Sequence, residues 1–130
     1  MSNLDQTFSN HLLTASIGGS FTAPTTPITC RLDTATGTNT SNGTELATSG
    51  GYTSGTGAPQ VTFAAASGGS MASNVAVTVT NMPATTINAI ELWDSESTPI
   101  RLWWGPLTAA KTTNSGDTFT IASGSLTLAM

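Results

Sequence analysis

Charge is the scarcest property of this 130-residue chain. It has three basic and seven acidic residues, so 8% of its positions are charged and the formal net charge is −4. An average domain carries about 25% charged residues. With so few cations, electrostatic binding to nucleic acid or to an anionic membrane is excluded. The length suits one domain.

Cysteine and long apolar runs are also missing. The single cysteine, Cys30, excludes an internal disulfide and any cysteine-rich metal site. No apolar run approaches the roughly 18 to 20 residues of a membrane-spanning helix, and the N-terminus lacks the basic and apolar regions of a signal peptide. We therefore expect a protein made and assembled in the cytoplasm, with no cofactor and no metal.

Small uncharged residues dominate what is present. The chain has 26 Thr, 15 Ser, 16 Ala and 13 Gly, which together fill 70 of the 130 positions. Disordered chains combine low hydrophobicity with high net charge, whereas this chain has 38% hydrophobic residues in short alternating runs. A surface of such side chains can be buried against another protein with little desolvation cost. The composition therefore favours a folded subunit of an assembly.

Residues 1–17 predict a short N-terminal helix or arm. Ser2 can cap its start, with Asp5 three residues later as a shortened capping box, and Gly18-Gly19 predicts a left-handed stop. One apolar stripe recurs every four residues: Leu4, Phe8 and Leu12. Because so short a helix is marginal alone in water, it must dock either on its own sheet or on a neighbouring subunit.

Residues 18–130 predict one all-β domain, an antiparallel sandwich of seven or eight short strands. Apolar and polar residues alternate in runs separated by turns at a spacing typical of sandwiches, and a second sheet must cover them. Breaks are expected at Met82-Pro83 and Gly105-Pro106. The alternating apolar positions are Ile28, Cys30, Leu32, Val61, Phe63, Val75, Val77, Val79, Ile90, Leu92, Ile100, Leu102, Trp104, Phe119, Ile121, Leu126 and Leu128.

The stretch 33–58 is rich in Thr, Gly, Ser and Asn and has almost no large apolar side chain. Loops of this length are usually functional, disordered or contain an edge strand. We expect a short strand at residues 45–47, with Leu46 and Tyr52 as the only anchors.

No set of residues predicts catalysis. A hydrolytic triad needs a nucleophile, a base and an orienting acid in contact, and the single histidine, His11, falls on the predicted helix at a surface or interface position. We interpret Cys30 as a small buried hydrophobic residue.

Three carboxylates cluster around Trp93: Glu91, Asp94 and Glu96, with Arg101 close behind. Two neighbouring acids can form a glycosidase pair or part of a calcium site. The stretch lacks the glycine and the regular oxygen ligands of a calcium loop, so we interpret it as a solvated turn with an ion pair to Arg101.

Three tryptophans lie within twelve residues. Because Trp103 and Trp104 are adjacent, they must point to opposite faces of a strand; we expect Trp104 to fill the core with Leu102 and Ile100. An exposed tryptophan can stack on a sugar or form an interface hot spot, and the scarcity of charge favours the interface. The candidate interface residues are Leu4, Phe8, His11, Leu12, Tyr52, Trp93 and Trp103.

Several segments resemble small virion proteins of tailed bacteriophages. They include N-H-L-L-T-A-S-I-G-G-S-F-T-A-P-T-T at 10–26, V-T-F-A-A-A-S-G-G at 61–69, A-I-E-L-W-D at 89–94, L-W-W-G-P-L-T-A-A-K-T at 102–112 and S-G-D-T-F-T-I-A-S-G-S-L-T at 115–127. These segments occur in the same order as in such proteins. The resemblance implies a non-enzymatic β-sandwich of head-decoration, minor-tail or tail-fibre type, and it carries over no catalytic residue.

Two functions are consistent with this resemblance. The first is a capsid decoration (cement) protein on the capsid surface of the virion, which binds the major capsid protein and copies of itself, as a trimer, and contacts neither nucleic acid nor membrane. The alternative is a minor tail or tail-fibre-associated protein with a host-glycan-binding role. An enzyme is the third and weakest interpretation. Removal of residues 1–15 is expected to abolish particle binding and to leave the sandwich folded.

Overall fold

Antiparallel β-strands are the main regular structure of the chain in the computed structural model, which describes residues 3–130. One α-helix, α1, spans Gln6–Ser16, and a 3₁₀ turn spans Gly55–Gly57. The strands over these residues are β1 (Asn3–Leu4), β2 (Ile28–Ala35), β3 (Thr44–Glu45), β4 (Gln60–Val61), β5 (Ser70–Ala72), β6 (Val77–Val79), β7 (Thr85–Trp93), β8 (Arg101–Thr113), β9 (Phe119–Ile121) and β10 (Thr127–Ala129). The predicted all-β class with a short N-terminal helix is confirmed.

The largest sheet has the strand order β1-β8-β7-β2-β3, with β4 also paired to β2. In its central pair Cys30 lies opposite Leu92 and Leu32 lies opposite Ile90, and none of these four side chains is more than 1% exposed. Burying one leucine or isoleucine side chain contributes roughly 1.5–3 kcal/mol. The period-two pattern of β2 and β7 therefore predicted the core face correctly.

Two short ladders, β5–β10 and β6–β9, supply the remaining core side chains. Val77, Val79 and Phe119 from one ladder and Leu128 from the other join the same buried cluster as the large sheet. Val75 was wrongly predicted to share the valine face: it is 45% exposed, because β6 begins only at Val77.

The core is complete within one chain. The accessible surface is 6664 Å², close to the roughly 6,400 Å² that a compact monomer of this mass exposes. A subunit that is intertwined with its partners exposes considerably more. The fold therefore needs no partner to bury its core side chains.

The start of α1 differs from the prediction. Asp5 is the N-cap residue, and its carboxylate accepts hydrogen bonds from the backbone N–H groups of Thr7 (2.8 Å) and Phe8 (3.4 Å). The predicted cap, Ser2, lies outside the described residues. Leu4 belongs to β1 rather than to the helix. An aspartate at the N-cap satisfies backbone donors that have no partner within the helix.

The end of α1 agrees with the prediction. Gly18 has a φ of +86°, and its N–H donates to the carbonyl of Ala15, while the N–H of Gly19 donates to the carbonyl of Thr14, both at 3.0 Å. This pair of bonds is the Schellman motif, in which glycine readily adopts the left-handed conformation.

The helix docks on its own sheet. Phe8 is 7% exposed and belongs to the core, and Leu4 and Leu12 are half-buried against it. Removal of residues 1–15 would therefore take away core side chains, and the expectation that the sandwich folds without them loses its basis.

β8 continues through Gly105-Pro106, where the sequence predicted a break. Among residues 3–130, β1 covers β8 only at Trp103 and Trp104, so no described strand pairs with the outer edge of β8 beside Pro106, and a proline is tolerated at such an edge. The register between β8 and β7 changes between Ile87 and Ala89 of β7, where β8 contains a bulge.

The stretch 33–58 is held closely to the sheet. β3 is the expected edge strand, but it begins one residue and ends two residues earlier than predicted. Both predicted anchors are buried: Leu46 is 9% exposed and Tyr52 is 1% exposed. The predicted break at Met82-Pro83 is confirmed, since β6 ends before it and β7 begins after it.

Candidate interaction surface

The few charges of this protein lie mostly in its interior. Among the charged side chains of residues 3–130, only those of Lys111 and Asp117 are exposed. The charged residues that are at most 9% exposed are Asp5, Asp33, Glu91, Asp94 and Arg101. Buried charges need partners because desolvation is expensive, so the contacts of these five residues show how the chain accommodates them.

Arg101 is the centre of a buried ion-pair network. Its guanidinium lies 2.8 Å from a carboxylate oxygen of Asp5 and 2.7 Å from one of Glu91. It also donates to the backbone carbonyls of Ser41, at 2.9 Å, and Thr38. The planar guanidinium suits such a set of acceptors. The predicted ion pair is confirmed for Glu91, but the solvated turn was wrong, because Glu91 is 2% exposed within β7.

Asp94 and Glu96 stand apart from this network. The Asp94 carboxylate accepts hydrogen bonds from the N–H groups of Ile100 (2.8 Å) and Thr25 (3.5 Å) and so closes the turn between β7 and β8. Within residues 3–130 no group of three or more His, Cys, Asp or Glu side chains could hold a metal ion. Glu91 and Asp94 therefore have structural partners rather than the arrangement of a calcium site.

Residues 36–43, here called the cover loop, lie over one face of the large sheet. That face, here called the charged face, carries Arg31, Asp33, Glu45, Glu91 and Arg101. The N–H of Gly43 donates to the Glu91 carboxylate at 3.1 Å. The indole N–H of Trp104 donates to the Asn39 side chain at 3.1 Å, and the Asn39 carbonyl accepts from the N–H of Gln6 at 3.0 Å. The loop is thus tied to β7, to β8 and to the start of α1.

Asp33 lies beneath the cover loop without a hydrogen-bond partner for either carboxylate oxygen. It is fully buried and lies directly opposite Glu45 in the β2–β3 ladder. Burial and the negative charges of Glu91 and Glu45 raise the pKa of Asp33 to about 8, against the opposing charges of Arg101 and Arg31. This carboxyl group is therefore mostly protonated at pH 7.

Two further buried groups lie close to Asp33. The Tyr52 hydroxyl donates to Glu45 at 2.8 Å and accepts from the N–H of Leu32 at 3.1 Å, and burial raises the pKa of Tyr52. Burial, with the charge of Asp33, raises the pKa of Cys30 to about 12. The interpretation of Cys30 as a small buried residue is confirmed, and a protonated buried thiol is not a nucleophile.

Trp103, and not Trp104, is the core tryptophan of β8. Trp103 lies opposite Leu92 and is 9% exposed, whereas Trp104 lies opposite Glu91 on the charged face and is half-buried. The prediction was wrong because the β7–β8 pairing shifts beside Leu92, so that Leu102 is an extra residue at the bulge. A bulge lets two successive side chains point the same way, and both Leu102 and Trp103 are buried.

Trp93 is already stacked within the chain. The Arg31 guanidinium lies 4.1 Å from the centre of the indole ring, and the indole N–H donates to Glu91 at 3.4 Å. Stacking of a guanidinium on one face of an indole is a favourable cation–π contact. This ring therefore offers at most one face to a sugar or to a partner.

Three exposed side chains form what we call the apolar patch: Leu13, Ile17 and Met130, which are 66%, 88% and 80% exposed. Leu13 and Ile17 are four residues apart and so lie on one side of α1 and its C-cap. Leu13 and Met130 border a cavity of about 260 Å³, with Leu4 and Leu12 at its wall. Contiguous exposed apolar surface marks an interaction site more often than scattered residues do.

The cavities continue from the apolar patch towards Trp103. Met130 also borders a cavity of about 170 Å³ that Trp103 and Leu128 line, and these two residues line a third cavity of about 270 Å³ with Phe8. No charged side chain lines any of the three. Because neighbouring cavities share lining residues, we refer to the three together as the apolar groove, which has Met130 of the patch at one end.

The candidate interface residues fall into two groups. His11 is exposed on α1, and Leu4, Leu12 and Trp93 are half-buried. The remaining three, Phe8, Tyr52 and Trp103, are buried in this chain's own core, so their side chains are not presented to a partner. The sequence analysis missed the apolar patch, although Leu13 and Ile17 are visibly off the Leu4, Phe8 and Leu12 stripe.

Comparison with known protein families gives the chain an identity at the level of a family. A family model described as podophage GP4 fiber I protein gp80 matches residues 3–129. The chain belongs to this family. The resemblance to virion structural proteins of tailed phages is confirmed. No curated protein matches the chain.

Membership of the gp80 family bears on the two predicted functions. The description of the family refers to a fibre, so it favours the tail-fibre alternative over capsid decoration. No helix within residues 3–130 is long and apolar enough to cross a membrane.

Proposed function

We propose that this chain is a non-enzymatic structural subunit of a podophage tail fibre and that it packs against another fibre subunit through the apolar patch. The observation that carries the proposal is the match to the gp80 family, which spans residues 3–129 and so covers almost the whole chain.

The surface chemistry supports a permanent protein contact. Leu13, Ile17 and Met130 project from a surface that is largely free of charge, and the groove beside them has no charged lining. Burying such a surface requires neither desolvation nor pairing of ions. Interface cores are depleted in charged residues for the same reason.

The interior supports a structural role rather than an enzymatic one. His11 is exposed on α1, Cys30 is a buried protonated thiol, and Glu91 is neutralised by Arg101. These residues lack the contact between nucleophile, base and acid that acyl transfer or hydrolysis requires.

The copy number of the chain in purified virions tests the location. Quantitative mass spectrometry against the major capsid protein is expected to give a few to a few tens of copies, and immunogold labelling is expected at the tail. Hundreds of copies spread over the shell would contradict the fibre proposal and favour capsid decoration.

Substitutions in the apolar patch test the interface. The double variant Leu13→Ser, Ile17→Ser is expected to fold normally and to be absent from virions. Val75→Ser is the matched control, because Val75 is 45% exposed and lies outside the patch; its incorporation should be unchanged. Equal incorporation of both variants would show that the patch is not the contact surface.

Self-association is tested by the same variants. The purified chain is expected to be monomeric, since its core is complete alone. A trimer that the double variant abolishes would identify a second copy of this chain as the subunit that covers the patch.

A further inference from the structure

Asp33 is the one buried carboxylate of the charged face that its neighbours leave without a bond. Both of its oxygens lack a hydrogen-bond donor although the residue is 0% exposed. A buried ionised carboxylate in this state is unfavourable by several kcal/mol, and the usual remedy in proteins is protonation.

The groups around Asp33 are engaged elsewhere. From β3, Glu45 accepts from Tyr52 and Gly55 and lies 3.9 Å from Arg31. From β7, Glu91 is paired with Arg101 of β8, and Arg101 is also bound to Asp5. On β2 itself, Cys30 and Arg31 are the titratable or charged neighbours, and Arg31 stacks on Trp93. Two acids therefore face Asp33. Arg101 is held by other partners, and Arg31, whose buried Nε itself lacks a hydrogen-bond partner, makes no bond to Asp33.

The cover loop seals this carboxyl from water. A β-carbon at Gly43 would collide with the Asp33 carboxylate and with the carbonyl of Ala35, so the loop backbone lies directly against the acid. Glycine at this position allows the close approach. Water can reach Asp33 only when the loop moves away.

We propose that the cover loop is a pH-sensitive lid, which stays closed while the Asp33 carboxyl is protonated and opens when that group ionises. Opening breaks the bond from Gly43 to Glu91, the bond from Trp104 to Asn39 and the bonds from Arg101 to the loop carbonyls. It exposes the charged face of the sheet, the part of the molecule where most of its charge is concentrated.

The direction in which pH changes the stability of the closed loop follows from the raised pKa of Asp33. The pKa of Asp33 is raised from 3.8 to about 8 in the closed fold, so the closed state binds more protons than the open state between these values. The closed loop is then most stable below about pH 4 and loses stability as the pH rises through about 8. Between these two pKa values each pH unit shifts the equilibrium up to tenfold towards the open loop, and above about pH 8 ionisation of Asp33 causes no further change.

Carbon-13 NMR of the side-chain carboxyl groups tests the protonation directly. The Asp33 carboxyl is expected to titrate at a pH well above the usual range of an aspartate. Titration of Asp33 within that usual range would overturn the proposal. The proposal would also be overturned if Asp33 were ionised over the whole pH range and its carbon-13 chemical shift changed on addition of calcium or of a chelator. A bound cation would then take the place of the proton.

Hydrogen exchange of the cover-loop amides tests the lid. Between pH 6.5 and 9.5 the protection factors of Ser41 and Gly43 are expected to fall by about tenfold or more in the natural chain. In Asp33→Asn, which cannot ionise, they are expected to stay constant, and in the control Asp117→Asn they should fall as in the natural chain. A fall of the same size in Asp33→Asn would refute the lid. The carboxyl titration of the natural chain decides the question if that variant does not fold.

Discussion

Two regions of this molecule are ordered by opposite means. The charged face beneath the cover loop is built from Arg101, Asp5 and Glu91, whose atoms meet at 2.7–2.8 Å. The groove that ends in the apolar patch has no charged lining at all. The first region depends on directional bonds between residues that are far apart in the chain, and the second depends on packing alone.

The comparison shows that a protein can have few charged residues and still depend on them for its structure. A buried ion pair often adds little net stability, but the loss of one partner is strongly destabilising. Here the ion pairs fix where the cover loop and the start of α1 lie, since Arg101 contacts both. The apolar groove makes no such directional bonds to neighbouring segments. This suits a surface against which a partner subunit packs.

The largest effect is expected from Arg101→Met. It leaves Asp5 and Glu91 buried without their cation, so the free energy of unfolding should fall by about 3–5 kcal/mol in urea titrations. Lys111→Met, which removes an exposed cation, is the matched control and should change stability by about 0.5 kcal/mol or less. Equal losses in the two variants would mean that the network is not a stabilising element.

A smaller effect separates the two roles of Asp5. Asp5→Asn keeps a helix-capping oxygen and loses the charge that faces Arg101, whereas Asp5→Ala loses both. Asp5→Ala should therefore be less stable than Asp5→Asn by about 1 kcal/mol, the usual contribution of an N-cap. Identical thermal midpoints would show that the cap contributes nothing beyond the ion pair.

The smallest effect is expected in the apolar patch. Ile17→Ser should alter the free energy of unfolding by about 0.5 kcal/mol or less, because the side chain is 88% exposed. A loss of several kcal/mol would mean that Ile17 packs within its own chain, and the contrast between the two regions would disappear.

The sequence predicted the core strands well because their signal is local. Cys30, Leu32, Ile90 and Leu92 alternate with polar residues, and all four lie on the inner face as expected. Trp104 was predicted in the core in place of Trp103 because the pairing of β7 and β8 contains a bulge. Since a bulge depends on how two distant segments align, no alternation within one strand reveals it.

The charged face was much harder to predict. Arg101 and Asp5 are separated by 96 positions, and nothing near either residue indicates the partner. A usable signal did exist: Arg31, Asp33 and Glu91 occupy the strand positions between core residues, where an ordinary outer face would be solvated. The cover loop that buries them is made of Thr, Asn, Ser and Gly, a composition that by itself predicts an exposed excursion.

The confinement of charge to the interior has a consequence for where this chain can function. Salt screens attraction and repulsion between exposed ions, and it screens buried pairs much less. Only Lys111 and Asp117 are exposed among the charged side chains of residues 3–130. A contact formed by the remaining surface should therefore have nearly the same affinity at low and at high salt concentration. A particle that contains such a subunit contact would therefore keep it formed when the ionic strength of the medium changes.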